Sequence, residues 1–205
     1  MLNGLLRPAD GFPVSGDPDA PAAGSDEIGL RERLRRSEAE LDRLLREDDL
    51  TGLLNRRTFR RSVIAHLGGA VRHGAPLAVA RLDVDHFKLV NRISGDLRVG
   101  DEVLRRVAEI LRGSARTGDV FGRWGGDEFA AIFPRTTREE AVAACERLLL
   151  AVTRDAWSRL DEHVRVTLSA GVADLEDGSS ADRLLAAADD RLEQAKAAGR
   201  NRVVG

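Results

Sequence analysis

A Gly125-Gly126-Asp127 turn set between two short β-rich runs, 120–124 and 128–133, restricts the fold of this chain more than any other feature. Two glycines accept the backbone angles of a tight reversal, and the flanking Val120, Phe121, Trp124, Phe129 and Ile132 favour extended backbone. The segment therefore predicts an antiparallel hairpin. A lone hairpin is marginal in water and needs further strands or helices to cover its apolar face. Residues 76–84, PLAVARLDV, read as one such strand, apolar and ending on acids. Helical patterns cover 55–67, 101–111 (Val103, Leu104, Val107 and Leu111 on one face), 137–152 and 181–198, and further strands are expected at 164–172 and 202–204. The sum is an α/β (α+β) sandwich, a central, mostly antiparallel sheet flanked by helices, preceded by an N-terminal helix, with no internal repeat.

The 205 residues suffice for one ordinary domain and a modest extension. Residues 1–25 collect Pro8, Pro13, Pro18 and Pro21 among Gly, Asp, Ala and Ser, a composition that cannot offset its ordering entropy, so a disordered tail is expected. A proline-free, charge-alternating helix follows at 26–47, in which Leu30, Leu34, Leu41 and Leu44 keep a 4-7-3 spacing with Ser37 filling one place of the seam. A short parallel dimer helix is favoured over a helix packed on its own domain. The globular part is 48–205. Net charge is −2, from 32 basic and 34 acidic side chains, which argues against a nucleic-acid partner. No stretch approaches the ~18 apolar residues of a membrane span, and residues 1–10 lack a signal-peptide pattern. The single cysteine, Cys145, sits in an apolar run and reads as an inert buried thiol. A cytoplasmic protein is expected.

The chemistry-bearing residues fall in two places. Asp83 and Asp85 close the 76–84 strand, and period-two alternation puts both on one side. Asp127 and Glu128 leave the glycine turn. If the two pieces are neighbours, Asp83 and Asp127 can meet, and two carboxylates with a backbone carbonyl and phosphate oxygens form the usual shell of Mg²⁺ beside a nucleotide. Each element alone is commonplace, since acids end many strands and Gly-Gly-Asp is by itself only a turn. Their combination carries the argument.

Gly125-Gly126-Asp127-Glu128-Phe129 spells GGDEF, and the chain resembles the GGDEF diguanylate cyclase family along its whole globular part. Residues 48–57 (DDLTGLLNRR) are similar to the family's D-x-L-T-G-L-x-N-R-R, and Asp83 to Lys88 with Asn91 to its D-x-D-x-F-K-x-x-N. Residues 166–173 and 196–201 (KAAGRN) are similar to its late strand and closing K-x-x-G-R-N. The resemblance implies condensation of two GTP into cyclic di-GMP at the interface of a homodimer. It implies Mg²⁺, with Mn²⁺ as an alternative, on Asp83, Asp127 and the Val84 carbonyl, and phosphates cradled by the N–H groups of His86 and Phe87 and the Gly125-Gly126 turn. It further implies Lys88 as a neutraliser of developing charge, Lys196 and Arg200 on the β- and γ-phosphates, Asn91 and Asp101 as guanine readers, and Asp127 or Glu128 as proton acceptor. Arg116 and Asp119 are similar to the family's R-x-x-D product-inhibition site.

The guanine loop departs from the family's pattern. Arg92 and Asp96 stand where the family has an acid and a histidine, and one extra residue separates Gly95 from Gly100. Arg191 and Glu193 replace the usual Ala and Tyr and read as surface or packing changes. A catalytically weak domain binding GTP or cyclic di-GMP is the alternative reading. A cyclase using ATP is disfavoured, because adenine has no N1–H for a carboxylate to accept.

Overall fold

A computed structural model describes residues 23–94 and 97–205. The chain divides into two compact units, 1–41 and 42–205. Most of the expected tail, residues 1–22, lies outside the described residues, but the first helix, α1 (Ala23–Arg46), begins inside the stretch assigned to the tail. Leu30, Leu34, Leu41 and Leu44 of α1 are all exposed.

In chain order there follow β1 (Leu54–Asn55), α2 (Arg56–His73), β2 (Leu77–Val84), α3 (Phe87–Ser94), α4 (Leu97–Gly113), β3 (Val120–Gly125), β4 (Glu128–Pro134), α5 (Arg138–Arg154), β5 (Leu168–Asp174), α6 (Ala181–Ala197) and β6 (Val203–Val204). The six strands form one sheet ordered β1-β3-β4-β2-β5-β6. The inner pairs are antiparallel and the short edge strands, β1 and β6, pair in parallel. The β2 strand lies at the centre, buried on both faces, which is why it reads as a continuous apolar run. Ala78, Ala80, Leu82 and Val84 join Val103, Leu104, Val107, Cys145 and Leu148 in one core, while Leu77 and Val79 join Phe59, Val63, Leu184 and Ala188 in the other. Helices α4 and α5 thus cover one face, and α2 and α6 the other. Burial pushes the Cys145 thiol up to about 12, so it is inert, as expected.

Several boundaries differ from the sequence reading. Helix α2 continues through Gly68-Gly69 to His73 and stops at Gly74, whose φ of +61° is the left-handed C-cap. Helix α4 starts at Leu97 and not at 101, and α3 was not anticipated at all. Residues 164–167 are not strand. Val164 and Val166 are buried, but β5 begins at Leu168, where pairing with Val84 begins. The Thr137 side chain and Glu140 form a capping box at the start of α5.

Candidate active site

The C-terminal end of β2 and the β3–β4 turn meet because β2 and β4 are direct partners: Asp83 stands opposite Glu128 on one side and Ser169 of β5 on the other. The Val84 N–H donates to the Asp127 carbonyl at 3.1 Å, tying the turn to the strand end. Gly126 has φ +54°, and a Cβ on Gly125 or Gly126 would meet nothing within 4 Å. The backbone path demands these glycines, and the space over the turn is open. Beneath it, Phe129 is fully buried; truncation to Ala would cost about 3–5 kcal/mol.

Charge is unbalanced here. Lys196 at the end of α6 lies 3.2 Å from Asp83 Oδ2 and 3.0 Å from Glu193 Oε1. Burial pushes the Asp83 carboxyl up to about 6; Lys196 opposes this, and the charges of Asp127 and Glu128 add to it. Burial pulls the Lys196 ammonium down, but Glu193 and Asp83 outweigh it and hold its proton. Glu193, expected as a surface or packing change, is 68% exposed and is the second anchor of Lys196. Among the described residues no group of three or more His, Cys, Asp or Glu is gathered to hold a metal ion. Asp83 and Asp127, whose negative charges bear on one another, are oxygen donors of the expected set, with the Val84 carbonyl as its third member. That fits Mg²⁺ or Mn²⁺ sharing its shell with phosphate and water.

Close approach of α6 to the sheet brings Lys196 to this place. A Cβ on Gly171 of β5 would collide with the Ala188 carbonyl and the Leu192 nitrogen of α6, so only glycine permits this packing. After α6, Gly199, Arg200 and Asn201 have φ of +112°, +61° and +46°, and the chain turns back toward β2.

Two charged residues of β2 and the turn after it were not understood from sequence. Arg81, 4% exposed, lies two residues before Asp83 and hence on the same face of the strand. Its guanidinium reaches Glu128 Oε2 at 2.6 Å and Asp189 Oδ1 of α6 at 3.0 Å, and lies 4.4 Å from the Trp124 ring centre. Asp85, expected on the same side as Asp83, is 3% exposed and fully engaged. It accepts from Thr167 Oγ1 at 2.7 Å, Ser169 Oγ at 2.7 Å and the Asn201 N–H at 3.1 Å. Ser169 is the cross-strand partner of Asp83, and the Asp85 N–H donates to the Thr167 carbonyl at 3.0 Å, so Asp85 keeps to that side while its oxygens are taken up by protein donors.

His86, with φ +56°, makes the turn into α3. The Leu89 and Val90 N–H groups of that helix donate to the His86 carbonyl at 2.7 and 3.3 Å, the N–H groups of Phe87 and Lys88 precede the first intrahelical bond, and the Lys88 side chain is exposed. Asn91 Oδ1 is buried without a hydrogen-bond partner and packs on Gly100. Asp101 is exposed and lines a shallow depression with Arg98, Val99 and Arg105 that Asn91 does not share. Gly95 and Asp96, the departures from the loop pattern, lie outside the described residues.

On the N-terminal side, Arg123 donates through Nη2 to the Gly126 carbonyl at 2.7 Å and through Nη1 to Asp48 Oδ1 at 3.0 Å. Asp48 also accepts from the Thr51 hydroxyl and N–H, which explains the D-x-L-T pattern as a closed turn. The Arg116 N–H and Nε donate to Asp119 at 3.1 and 3.0 Å, and Nη2 donates to the Pro134 carbonyl and the Thr136 hydroxyl. A cavity of about 480 Å³ flanks this pair, lined also by Phe121, Glu140 and Arg147. Arg147 lies on α5, far along the chain and outside any motif, and sequence reasoning missed it.

Fold and site together define an α/β domain with a strand-end acid pair. Residues 46–202 match the family model "Diguanylate cyclase, GGDEF domain", and the chain belongs to that family. It is 39% identical over 176 residues to diguanylate cyclase DgcM of Escherichia coli strain K12, covering 83% of this chain and 40% of that protein. It is 38% identical over 161 residues to the response regulator PleD of Caulobacter vibrioides, covering 77% of this chain and 35% of PleD. It thus spans well under half the length of these relatives. Among solved structures it is similar to the coiled coil and GGDEF domain of DgcB from Caulobacter crescentus, in complex with c-di-GMP. The TM-score is 0.77 at 32% identity, over 88% of this chain and 95% of that one.

Proposed function

We propose that this chain is a diguanylate cyclase, joining two GTP molecules into cyclic di-GMP with release of pyrophosphate. The observation that carries the reading is the meeting of Asp83 and the Asp127 turn at one strand end, with Lys196 beside them. Mg²⁺ on Asp83, Asp127 and the Val84 carbonyl supplies charge neutralisation for the reacting phosphate and the 3′-hydroxyl. Lys196 and Arg200 hold the β- and γ-phosphates, the N–H groups at His86 and Phe87 and the open glycine turn cradle the chain of phosphates, and Lys88 meets charge developing in the transition state. Asp127 takes the hydroxyl proton. Glu128, the other candidate, is engaged by Arg81, which supports Asp127 in that role. Asn91 and Asp101 read guanine, and the unpartnered Asn91 Oδ1 is an acceptor in need of a donor.

One domain holds one GTP, so two must face each other. The exposed leucine seam of α1 supports a parallel homodimer that raises the local concentration of the second site. Arg116 and Asp119, with the adjoining cavity, are proposed to take the product as a feedback inhibitor. The alternative, a weak domain that binds GTP or cyclic di-GMP without turnover, draws on the exposed Asp101 in a depression that Asn91 does not line.

Purified protein incubated with Mg²⁺ and GTP decides between them. Cyclic di-GMP that disappears in Asp127→Ala is the expected result; GTP binding without product would overturn the cyclase reading in favour of the binding module. Specific activity should rise with protein concentration at high dilution.

A further inference from the structure

Among the described residues four non-glycine positions have left-handed backbone, His86, Arg135, Arg200 and Asn201, and three of them surround one buried carboxylate. His86 follows Asp85 directly, Asn201 donates its N–H to Asp85, and Arg200 precedes Asn201. Such backbone is unfavourable for L-residues and persists only where its surroundings over-determine it. Asp85 is the group that links these turns to one another, beside the local bonds from the Arg200 N–H to the Ala195 carbonyl and from the Leu89 N–H to the His86 carbonyl: it receives hydroxyls from Thr167 and Ser169 at 2.7 Å each, besides the Asn201 N–H. Among the described residues no cation lies within ion-pair distance of it, so its charge is met by dipoles alone. Burying a carboxylate that way is expensive compared with a neutral side chain, but its hydrogen bonds are short and stiff.

We propose that Asp85 is a positioning residue for the triphosphate. Its carboxylate pins the turn carrying Arg200 to the strand end carrying Asp83, and so sets the distance between the Arg200 guanidinium and the N–H groups of His86 and Phe87. The inference rests on the triphosphate reading above. Asp85 itself touches no phosphate; a turn displaced by about 1 Å places Arg200 wrongly relative to the N–H groups at His86 and Phe87 that hold the same triphosphate.

The test uses the full chain and compares binding of α,β-methylene-GTP, which cannot release pyrophosphate, with binding of GMP, both by calorimetry with Mg²⁺ present. Asp85→Ala should weaken the analogue about 10- to 100-fold while GMP affinity stays near wild type. Asp85→Asn, whose carbonyl can still accept from Asn201, should recover most of the loss. Thr167→Val, which removes one donor, should weaken the analogue less than Asp85→Ala does. A folded Asp85→Ala that binds the analogue as wild type does, or that loses analogue and GMP equally, overturns the inference. Should Asp85→Ala not fold, unchanged analogue affinity in Thr167→Val overturns it instead. Wild-type protein that binds neither ligand overturns the triphosphate reading and the inference with it, whereas wild-type binding with an unaffected Asp85→Ala overturns the inference alone.

Discussion

The chain entering helix α6 and the chain leaving it hold charged side chains in opposite electrostatic states. At the entry loop, Asp177 is gripped through two bonds of 2.7 Å by Arg191, which lies in the C-terminal half of α6 and also donates to the Val172 carbonyl, while Arg138 of α5 reaches Asp174 at 2.5 Å and Asp177 at 2.9 Å. Arg191 and the other contacts hold the Asp177 carboxyl down at about 2. At the exit, Asp83 is pushed up to about 6, Lys196 is shared between Asp83 and Glu193, and among the described residues no acid pairs with Arg200. The entry is satisfied and fastens the β5–α6 loop. The exit is left in want of a ligand. Paired charge therefore marks structure in this molecule, and unrelieved charge with strained backbone marks the site.

The sharpest way to break this comparison is to remove one charged side chain from each cluster. Asp83→Ala should lower cyclic di-GMP formation about 10²- to 10³-fold, because it deletes part of the charge stabilisation at the reacting phosphate. It should leave the melting temperature of the metal-free protein equal or higher, since Asp83 sits there at a cost. Parallel turnover and melting measurements test this, and a large loss of stability would place Asp83 with the structural charges. Arg191→Met should do the reverse: stability falls by about 2 kcal/mol, the scale of hydrogen bonds to a charged group, with turnover per folded molecule close to wild type. Denaturant unfolding beside active-site titration measures both.

The proposed product site offers an intermediate case. Arg116 and Asp119 satisfy one another, yet the Arg116 side chain is 54% exposed and borders open cavities, so the pair can be exchanged for a ligand. Arg116→Ala should raise the cyclic di-GMP concentration for half-inhibition at least about tenfold, the equivalent of one charge-assisted contact. Inhibition curves that superimpose on wild type would move Arg116 to the purely structural class.

What the amino-acid order revealed follows the same division. The β3–β4 hairpin was legible because glycine turn chemistry is local, and β2 because a central strand must be apolar on both faces. Position 164–167 misled because Val164 and Val166 are β-branched and buried, yet strand pairing depends on a partner that alternation cannot show. Helix α3 was hidden by its length, Phe87–Ser94, and by attention to its motif residues. Among candidate site residues, those carried by motifs could be named from the sequence, but their partners could not. Arg81 looks like an ordinary polar interruption of a strand, and Arg191 like a surface or packing change. What each does depends on Asp189, Trp124 or Asp177, which only the fold brings within reach. Asp85 was legible as a neighbour of Asp83 but not as a buried one: its donors, Thr167, Ser169 and Asn201, lie far along the chain.

The smallest expected effect tests the entry end alone, through pH. In an unfolded chain an Asp carboxyl titrates near ~3.9, and in the folded protein Asp177 is held at about 2, with the Arg191 hydrogen bonds the largest cause. A folded-state value below the unfolded one means the unfolded chain binds the proton more readily. The contribution is therefore fully present above about pH 4 and is lost as pH falls through about 2. Other carboxylates are also held low, among them Asp155 by Arg106, so wild-type acid unfolding cannot isolate Asp177. The difference between wild type and Arg191→Met can. It should be constant from neutral pH down to about 4 and then shrink toward pH 2, as protonation of Asp177 dissolves the pair in the wild type as well. A stability difference that stays constant to pH 2.5 (about the lower limit of a usable transition) would mean that Arg191 acts through the Val172 carbonyl and packing, and that Asp177 is only a bystander to the α6 entry.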